Sequence, residues 1–346
     1  ITGHIDLSVG SVAAFVGVLV AISMNDWGWP WYLSLVFGIV LGIVIGAWQG
    51  FWVAFIGVPA FIVTLAGMLI FRGLNQLAGQ QRGIGVDRGF VDALAGFLPE
   101  WGPYTGYNNS TLLLGLVAVA AVVLLELRGR ARRRRSGAEV APQWVLITRL
   151  VLVIAVLVVA TLLFASGRPG TSFPLAGVIL VVFTLGYGFL TNNTSIGRHI
   201  YAVGGNRRAA ELSGVRSRWT DFFVMANMST LAAIAGMMFV ARSQAAGPQD
   251  GTGWELDAIA AVFIGGAAVA GGIGTVAGSI IGGLVMAVLT NGLFAIGTGS
   301  DWIQVIKGIV LLIAVAIDVI NKQQGRFSFI GLILRGLRRD RSNELS

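Results

Sequence analysis

Ten apolar segments divide the chain, at roughly 8–24, 32–55, 60–79, 110–127, 144–165, 174–192, 219–240, 256–270, 275–296 and 302–320. About 20 apolar residues in a helix cross the roughly 30 Å of a bilayer's hydrocarbon. Backbone polar groups in lipid must be satisfied within the segment, so the pattern predicts helices; a β-barrel would show short alternating stretches. The expectation is an all-α polytopic membrane protein with about ten transmembrane helices, read as a single membrane domain over 1–346.

Composition agrees. Of the 346 residues, 55% are hydrophobic and 12% charged, with mean hydropathy +0.81; a soluble domain carries about 25% charged residues. Eighteen of the 24 basic residues fall in three places: seven arginines between Arg128 and Arg149, five between Arg198 and Arg218, and six Lys or Arg from Lys322 onward. The ten-span count puts all three on one side, which the positive-inside rule makes cytoplasmic. This predicts a basic cytoplasmic loop at 128–149, a second cytoplasmic loop at 196–218 and a cytoplasmic tail at 322–346. The run Arg132–Arg135 reads as a topology anchor or as a site for anionic lipid or nucleic acid. The opposite side holds Asp26, Asp87, Asp92, Glu100, Asp250, Glu255 and Asp301. Its long loop at about 80–109, rich in Trp, Tyr, Gly and Pro, reads equally as an interfacial aromatic belt or a docking surface.

Glycine spacing adds packing information. Gly38, Gly42, Gly46 and Gly50 recur every fourth residue, as do Gly274, Gly278 and Gly282. Such stripes let helix backbones approach closely, and they also suit helices that slide.

Much chemistry is excluded. There is no cysteine, and His4 and His199 are the only histidines, so neither a disulfide nor a thiolate or histidine-cluster metal site is expected. The only lysines, Lys307 and Lys322, follow Ile306 and Asn321 rather than glycine, which rules out a P-loop. The segment GGIGTVAG at 271–278 lacks the GxGxxG spacing and reads as a turn between short helices. No acid pair, nucleophile elbow or HExxH is present, and no catalytic residue is expected. Ionisable residues in the spans lie near their ends: Asp6, Asp257, Lys307 and Asp318. Lys307 is expected to snorkel, and solvation at a helix N-terminus accounts for Glu255 and Asp257. Neutral polar residues in or beside the spans include Ser8, Ser11, Gln49, Thr64, Asn75, Asn227, Ser229 and Asn291. They serve either as interhelical hydrogen-bond partners or as contacts for a neutral polyhydroxylated solute.

One polar stretch stands apart: YAVGGNRRAAELSGV at 201–215. Asn206 is a good N-cap, and Gly214 suits the left-handed residue that closes a helix. Arg207, Arg208 and Glu211 supply charge; Ala209, Ala210 and Leu212 supply a small apolar face. Gly204 and Gly205 allow a sharp turn out of the membrane. A helix of two turns is marginal alone and firmer against a soluble partner.

That stretch, extended to SIGRHIYAVGGNRRAAELSGV at 195–215, resembles the cytoplasmic coupling loop of sugar ABC importer permeases of the ribose/xylose group. HIDLSVGS at 4–11, VPAFIVTLAGMLIFRG at 58–73 and ELDAIAAVFIGGAAVAGGIGTVAGSIIGG at 255–283 match the same family. The resemblance covers nearly the whole chain. DWGWPWYL at 26–33 and the basic-linked pair of extra helices at about 110–165 resemble its xylose branch. The resemblance implies a bacterial inner-membrane permease that pairs with a second copy. It also implies two ATPase subunits that hold ATP and Mg and dock on Gly204–Gly214, and an extracytoplasmic binding protein that delivers a monosaccharide. The chain itself would bind no cofactor, metal or nucleic acid. Ile5–Ser11 would lie at a break near the translocation path, with Asp6, Ser8, Ser11, Thr64, Asn75, Asn227 and Asn291 as path candidates. Two departures stand out. GGAAVAGG at 265–272 replaces the family's GGTSLAGG, removing two hydroxyls at Ala267 and Ala268. The start at ITGHIDLSVG, without the family's two preceding helices, leads to the expectation of an N-terminal truncation. The rivals are a branched-chain amino acid permease, a secondary carrier or channel, and a membrane enzyme.

Overall fold

Helix α1 (Val9–Asn25) is apolar all round, and 13 of its 17 residues are buried, as expected of a helix enclosed by protein on every side. Around it pack α2 (Trp31–Phe51), α3 (Ala60–Gly79) and α10 (Ser217–Ser243). The computed structural model describes residues 1–323 other than 104, 138–141 and 168–171, and side chains up to 316. The predicted tail at 322–346 therefore lies outside the described residues apart from the backbone of 322 and 323, as do the Asp318 side chain and the middle of the 128–149 loop.

The glycine stripe of α2 is the seam with α10. A Cβ on Gly38 would lie 2.5 Å from the Met237 sulfur, one on Gly42 2.5 Å from the Ala233 Cβ, and one on Gly46 2.6 Å from the Ala226 Cα. Small residues let the two backbones close up, which is how helices associate where lipid competes for apolar side chains. The second predicted stripe is corrected. Gly274 lies in the loop before α12 (Val276–Ala295), so only Gly278 and Gly282 share that helix. Cβ atoms there would meet the Gly265 and Ala261 carbonyl oxygens at 2.1 and 1.9 Å, against α11 (Trp254–Ile264).

Each of the ten predicted segments coincides with a helix, the eighth, 256–270, only as far as Ile264. Seven helices among the described residues are long and apolar enough to cross a membrane: α2 with the π-turn that extends it through Ile56, α3, α5 (Asn109–Arg135), α6 (Gln143–Ala165), α7 (Leu175–Asn193), α10 and α12. Of the other three, α1 is apolar but has 17 residues. Helix α13 (Ser300–Gln323) carries Asp301 and Lys307. Helix α11 stops at Ile264, where Gly265 meets the Gly278 backbone and Gly266 adopts φ +85°. Its 11 residues span about 16 Å, half the hydrocarbon thickness. The rest of predicted segment 256–270 is loop.

By contact the chain forms two compact units, Ile1–Asp87 with Val181–Ser346, and Arg88–Leu180. The first also contains a short antiparallel pair, β1 (Ile84–Gly85) with β2 (Ala245–Ala246). The second contains α4 (Arg88–Ala95) and the α5–α6 pair. Asn108 caps α5 by accepting from Thr111 N at 2.8 Å, and its own N–H donates to Ala165 O at 2.9 Å. Arg132–Arg135 form the last turn of α5, where positive charge suits the helix dipole. Gly115 faces Thr161, and Arg149 pairs with Glu126 at 3.2 Å.

Candidate functional site

Helix α8 (Ser195–Gly205) leads into α9 (Arg207–Leu212). The break is a single residue: Asn206, at φ −154° and ψ 99°, ends one helix and caps the next, its side chain accepting from Ala209 N at 3.0 Å. At the other end Gly214 takes φ +87°. Val215 N donates to Ala210 O and Gly214 N to Glu211 O, both at 3.0 Å, the paired closing bonds of a Schellman motif. The capped two-turn helix read from sequence is present.

Two details of that reading are corrected. Gly204 and Gly205 are not the turn; both are helical, and the turn belongs to Asn206, whose side chain can satisfy the next helix. Gly204 is small for another reason: a Cβ there would lie 2.0 Å from Ile1 O and 2.7 Å from Gly272 N. The apolar residues of α9 also do not form one face. Ala210 is buried against its own chain, whereas Leu212 is 85% exposed, and Arg208, Ala209 and Glu211 face outward.

Arg207 turns back to the protein. Its Nη2 lies 2.6 Å from Asp221 Oδ2 and 3.3 Å from Ser217 Oγ, and its Nε 3.4 Å from Glu211 Oε1. Ser217 in turn donates to Glu211. Asp221, on the first turns of α10, is almost wholly buried, and its other oxygen lies 2.9 Å from His4 Nε2. Tyr201 of α8 donates to Gly274 O at 2.6 Å.

Before α1 the chain runs irregularly from 1 to 8. Asp6 Oδ1 accepts from Ser8 N at 2.6 Å and Ser8 Oγ at 2.7 Å, while its Oδ2 is buried without a partner. Gln49 of α2 donates to Ser8 Oγ at 2.8 Å and accepts from Ser229 of α10 at 3.3 Å. Thr64 of α3 accepts from Leu7 N at 3.1 Å, and Ser11 donates to Ser8 O at 3.0 Å.

Two cavities flank this strip. One, of about 390 Å³, is lined by Ile5, Asp6, Met228, Val262, Ala267 and Ala268, among others; small-molecule sites run roughly 300–1,000 Å³. The other, of about 410 Å³, is lined by Val58, Pro59, Arg207 and Asp221. Gly3, His4 and Ile5 line both.

Of the seven path candidates, Asp6 lines the first cavity. Ser8, Ser11 and Thr64 are buried in the packing around it. Asn75, also buried, donates to Pro248 O at 3.2 Å with its Oδ1 unpartnered. Asn227 accepts from Tyr187. Asn291 is exposed and donates to Ala287 O of its own helix at 2.8 Å. Ala267 and Ala268, which stand where the family has hydroxyls, are buried on the cavity wall.

The acids of α11 are not simply solvated, as sequence suggested. Glu255 is buried and pairs with Arg72 at 3.3 Å; Asp257 pairs with Lys307 at 2.8 Å, so Lys307 does not reach outward. Asp221 was missed altogether. The signal existed: a carboxylate inside the apolar segment 219–240 is costly and marks a partnered or functional group.

Residues 1–315 match the family model described as branched-chain amino acid transport system / permease component. The chain belongs to that permease family. It is 40% identical over 325 residues to the xylose transport system permease protein XylH of Haemophilus influenzae, covering 94% of this chain and 84% of that protein. The corresponding Escherichia coli K12 protein is 37% identical over the same length, 80% of its own. The ribose import permease protein RbsC of E. coli K12 is 41% identical over 161 residues, 46% of this chain and 49% of that protein. No solved structure matches. The permease is thus the inner-membrane transport subunit of an ABC importer, in which ATP is hydrolysed by a separate subunit and solute is delivered by a binding protein.

Proposed function

We propose that the permease imports a monosaccharide, D-xylose, by working as a pair of copies with an ATPase docked on Gly204–Gly214. The sugar assignment rests on one observation: identity of 37–40% to xylose permeases runs through 94% of the chain. The docking assignment is supported by a helix capped at both ends that holds Leu212 outward. ATP and Mg²⁺ belong to the ATPase in this reading, and the permease binds neither. Within the translocation path Asp6, which lines the first cavity, meets the sugar hydroxyls. Ser8, Thr64, Asn75 and Asn227 tie neighbouring segments together, whereas Ser11 and Asn291 bond within their own segments.

The test is reconstitution in liposomes with the partner ATPase and binding protein. ATP hydrolysis should rise on adding xylose-loaded binding protein, and Leu212→Asp should abolish that rise while leaving the permease folded. Leu212 is the better probe than Ala210, because a charge at buried Ala210 would disrupt the helix itself. Sugar flux that ignores ATP and survives Leu212→Asp would sink the reading. Stimulation by a leucine-loaded rather than a xylose-loaded binding protein would return it to the branched-chain amino acid class.

A further inference from the structure

The strip Gly3–Ile5 is a thin wall with a cavity on each side. It is held from the α9 side by one buried carboxylate, Asp221, which takes His4 of the strip at 2.9 Å and Arg207 of α9 at 2.6 Å. We propose that Asp221 is a positioning residue that makes the strip follow α9, so that displacement of the coupling helix moves the partition between the two cavities. The inference rests on the docking role of α9 proposed above.

Three physical points carry it. First, a buried carboxylate gives up a hydrogen-bond partner at a cost, because the oxygen left bare keeps its full desolvation penalty. The clasp therefore transmits motion instead of yielding. Second, the bonds use different oxygens, Oδ1 toward His4 and Oδ2 toward Arg207. The carboxylate thus bridges two segments rather than choosing between them. Third, the opposite wall of the first cavity is tied to the same lever. Tyr201 of α8 donates to Gly274 O, Gly204 sits against Ile1 O and Gly272 N, and Gly272 N donates to Ile1 O at 2.7 Å. The loop carrying Ala267 and Ala268 and the strip carrying His4 are both fastened to the α8–α9 corner. Gln49, by contrast, ties Ser8 to α2 and α10, so the strip is anchored at residue 8 and clasped at residue 4. Thr64 of α3 also holds the strip, at Leu7 N and Ile5 O, so the motion falls on its end at Gly3 and His4.

The absence of native cysteine allows a direct test. Val269 lines the first cavity and is 41% exposed. In membrane vesicles holding the whole complex, a membrane-impermeant maleimide should label Val269→Cys at rates that differ with and without Mg-ATP. His4→Ala and Asp221→Asn, each in the Val269→Cys background, should lose that difference roughly tenfold, the size of a typical coupling free energy. Both should still co-purify with the ATPase. His4→Gln, whose Nε2 can donate to Asp221 as the imidazole does, should keep it. A difference kept in His4→Ala overturns the proposal and leaves the importer reading intact. So does equal loss in His4→Ala and His4→Gln, which would mean that a hydrogen bond to Asp221 does not carry the coupling. A wild-type background with no ATP-dependent difference overturns both.

Discussion

The α2–α10 seam and the α5–α6 pair have comparable hydropathy and opposite uses. In the seam, glycines every fourth residue bring backbones so close that a single added carbon would meet Ala226 or Ala233 at 2.5–2.6 Å. In the pair, the small-residue contact is Gly115 on Thr161 and nearly all other side chains face outward. Hydropathy measures exclusion from water and cannot tell lipid from protein as the destination. The spacing of small residues can, because only backbone proximity needs them.

That comparison can be broken by substitution. The largest effect should follow Gly46→Leu, which must push α2 off α10; overpacking of this kind costs about 1–3 kcal/mol. Thermal unfolding in detergent should register it as a clear fall in Tm. The same change at Gly129 of α5, which has nothing within 4 Å, should cost nothing and can stabilise by up to about 1 kcal/mol through helix propensity. Equal loss at both glycines would refute the distinction. Next comes Asn206→Ala, which removes the cap of α9 and should cost about 1 kcal/mol, seen as faster hydrogen exchange confined to 207–212. Gln49→Leu breaks the Ser8–Gln49–Ser229 relay inside the seam; membrane hydrogen bonds average about 0.6 kcal/mol, so a small but measurable loss in Tm is expected. The smallest effect belongs to Arg149→Ala, whose pair with Glu126 is largely exposed and worth under about 1 kcal/mol; Tm should hardly change.

Local features were legible in the sequence, and long-range ones were not. The ends of α9 could be read because a cap is chemistry within three residues: Asn206 to Ala209, Glu211 to Gly214. The α2 stripe was legible because helical period alone aligns its glycines. The partners of charged residues were hidden. Arg72 and Glu255 are 183 positions apart, and His4 and Asp221 are 217 apart. Short-range reasoning therefore assigned Glu255, Asp257 and Lys307 to solvent. Gly204 misled for a related reason. Glycine permits a turn, but here it permits contact with Ile1 and Gly272, two backbones that no local rule connects to it. The turn was read at GGIGTVAG, 271–278, but the break begins at Gly265 and ends where α12 starts at Val276; hydrophobicity alone carried the expected segment on to residue 270.

The α5–α6 pair begins and ends in the same place. Asn108 N donates to Ala165 O at one foot, and Phe173 N to Thr111 Oγ1 beside it at 3.2 Å. Everything from Asn109 to Ala165 leaves and returns through that doorway. Joining such adjacent ends costs little closure entropy. The segment is thus a removable cassette: a permease with a short turn spliced between 108 and 166 needs no long bridge to reconnect the chain. The same doorway is a ready place to mount a foreign helical hairpin, a fluorescent reporter or an affinity handle.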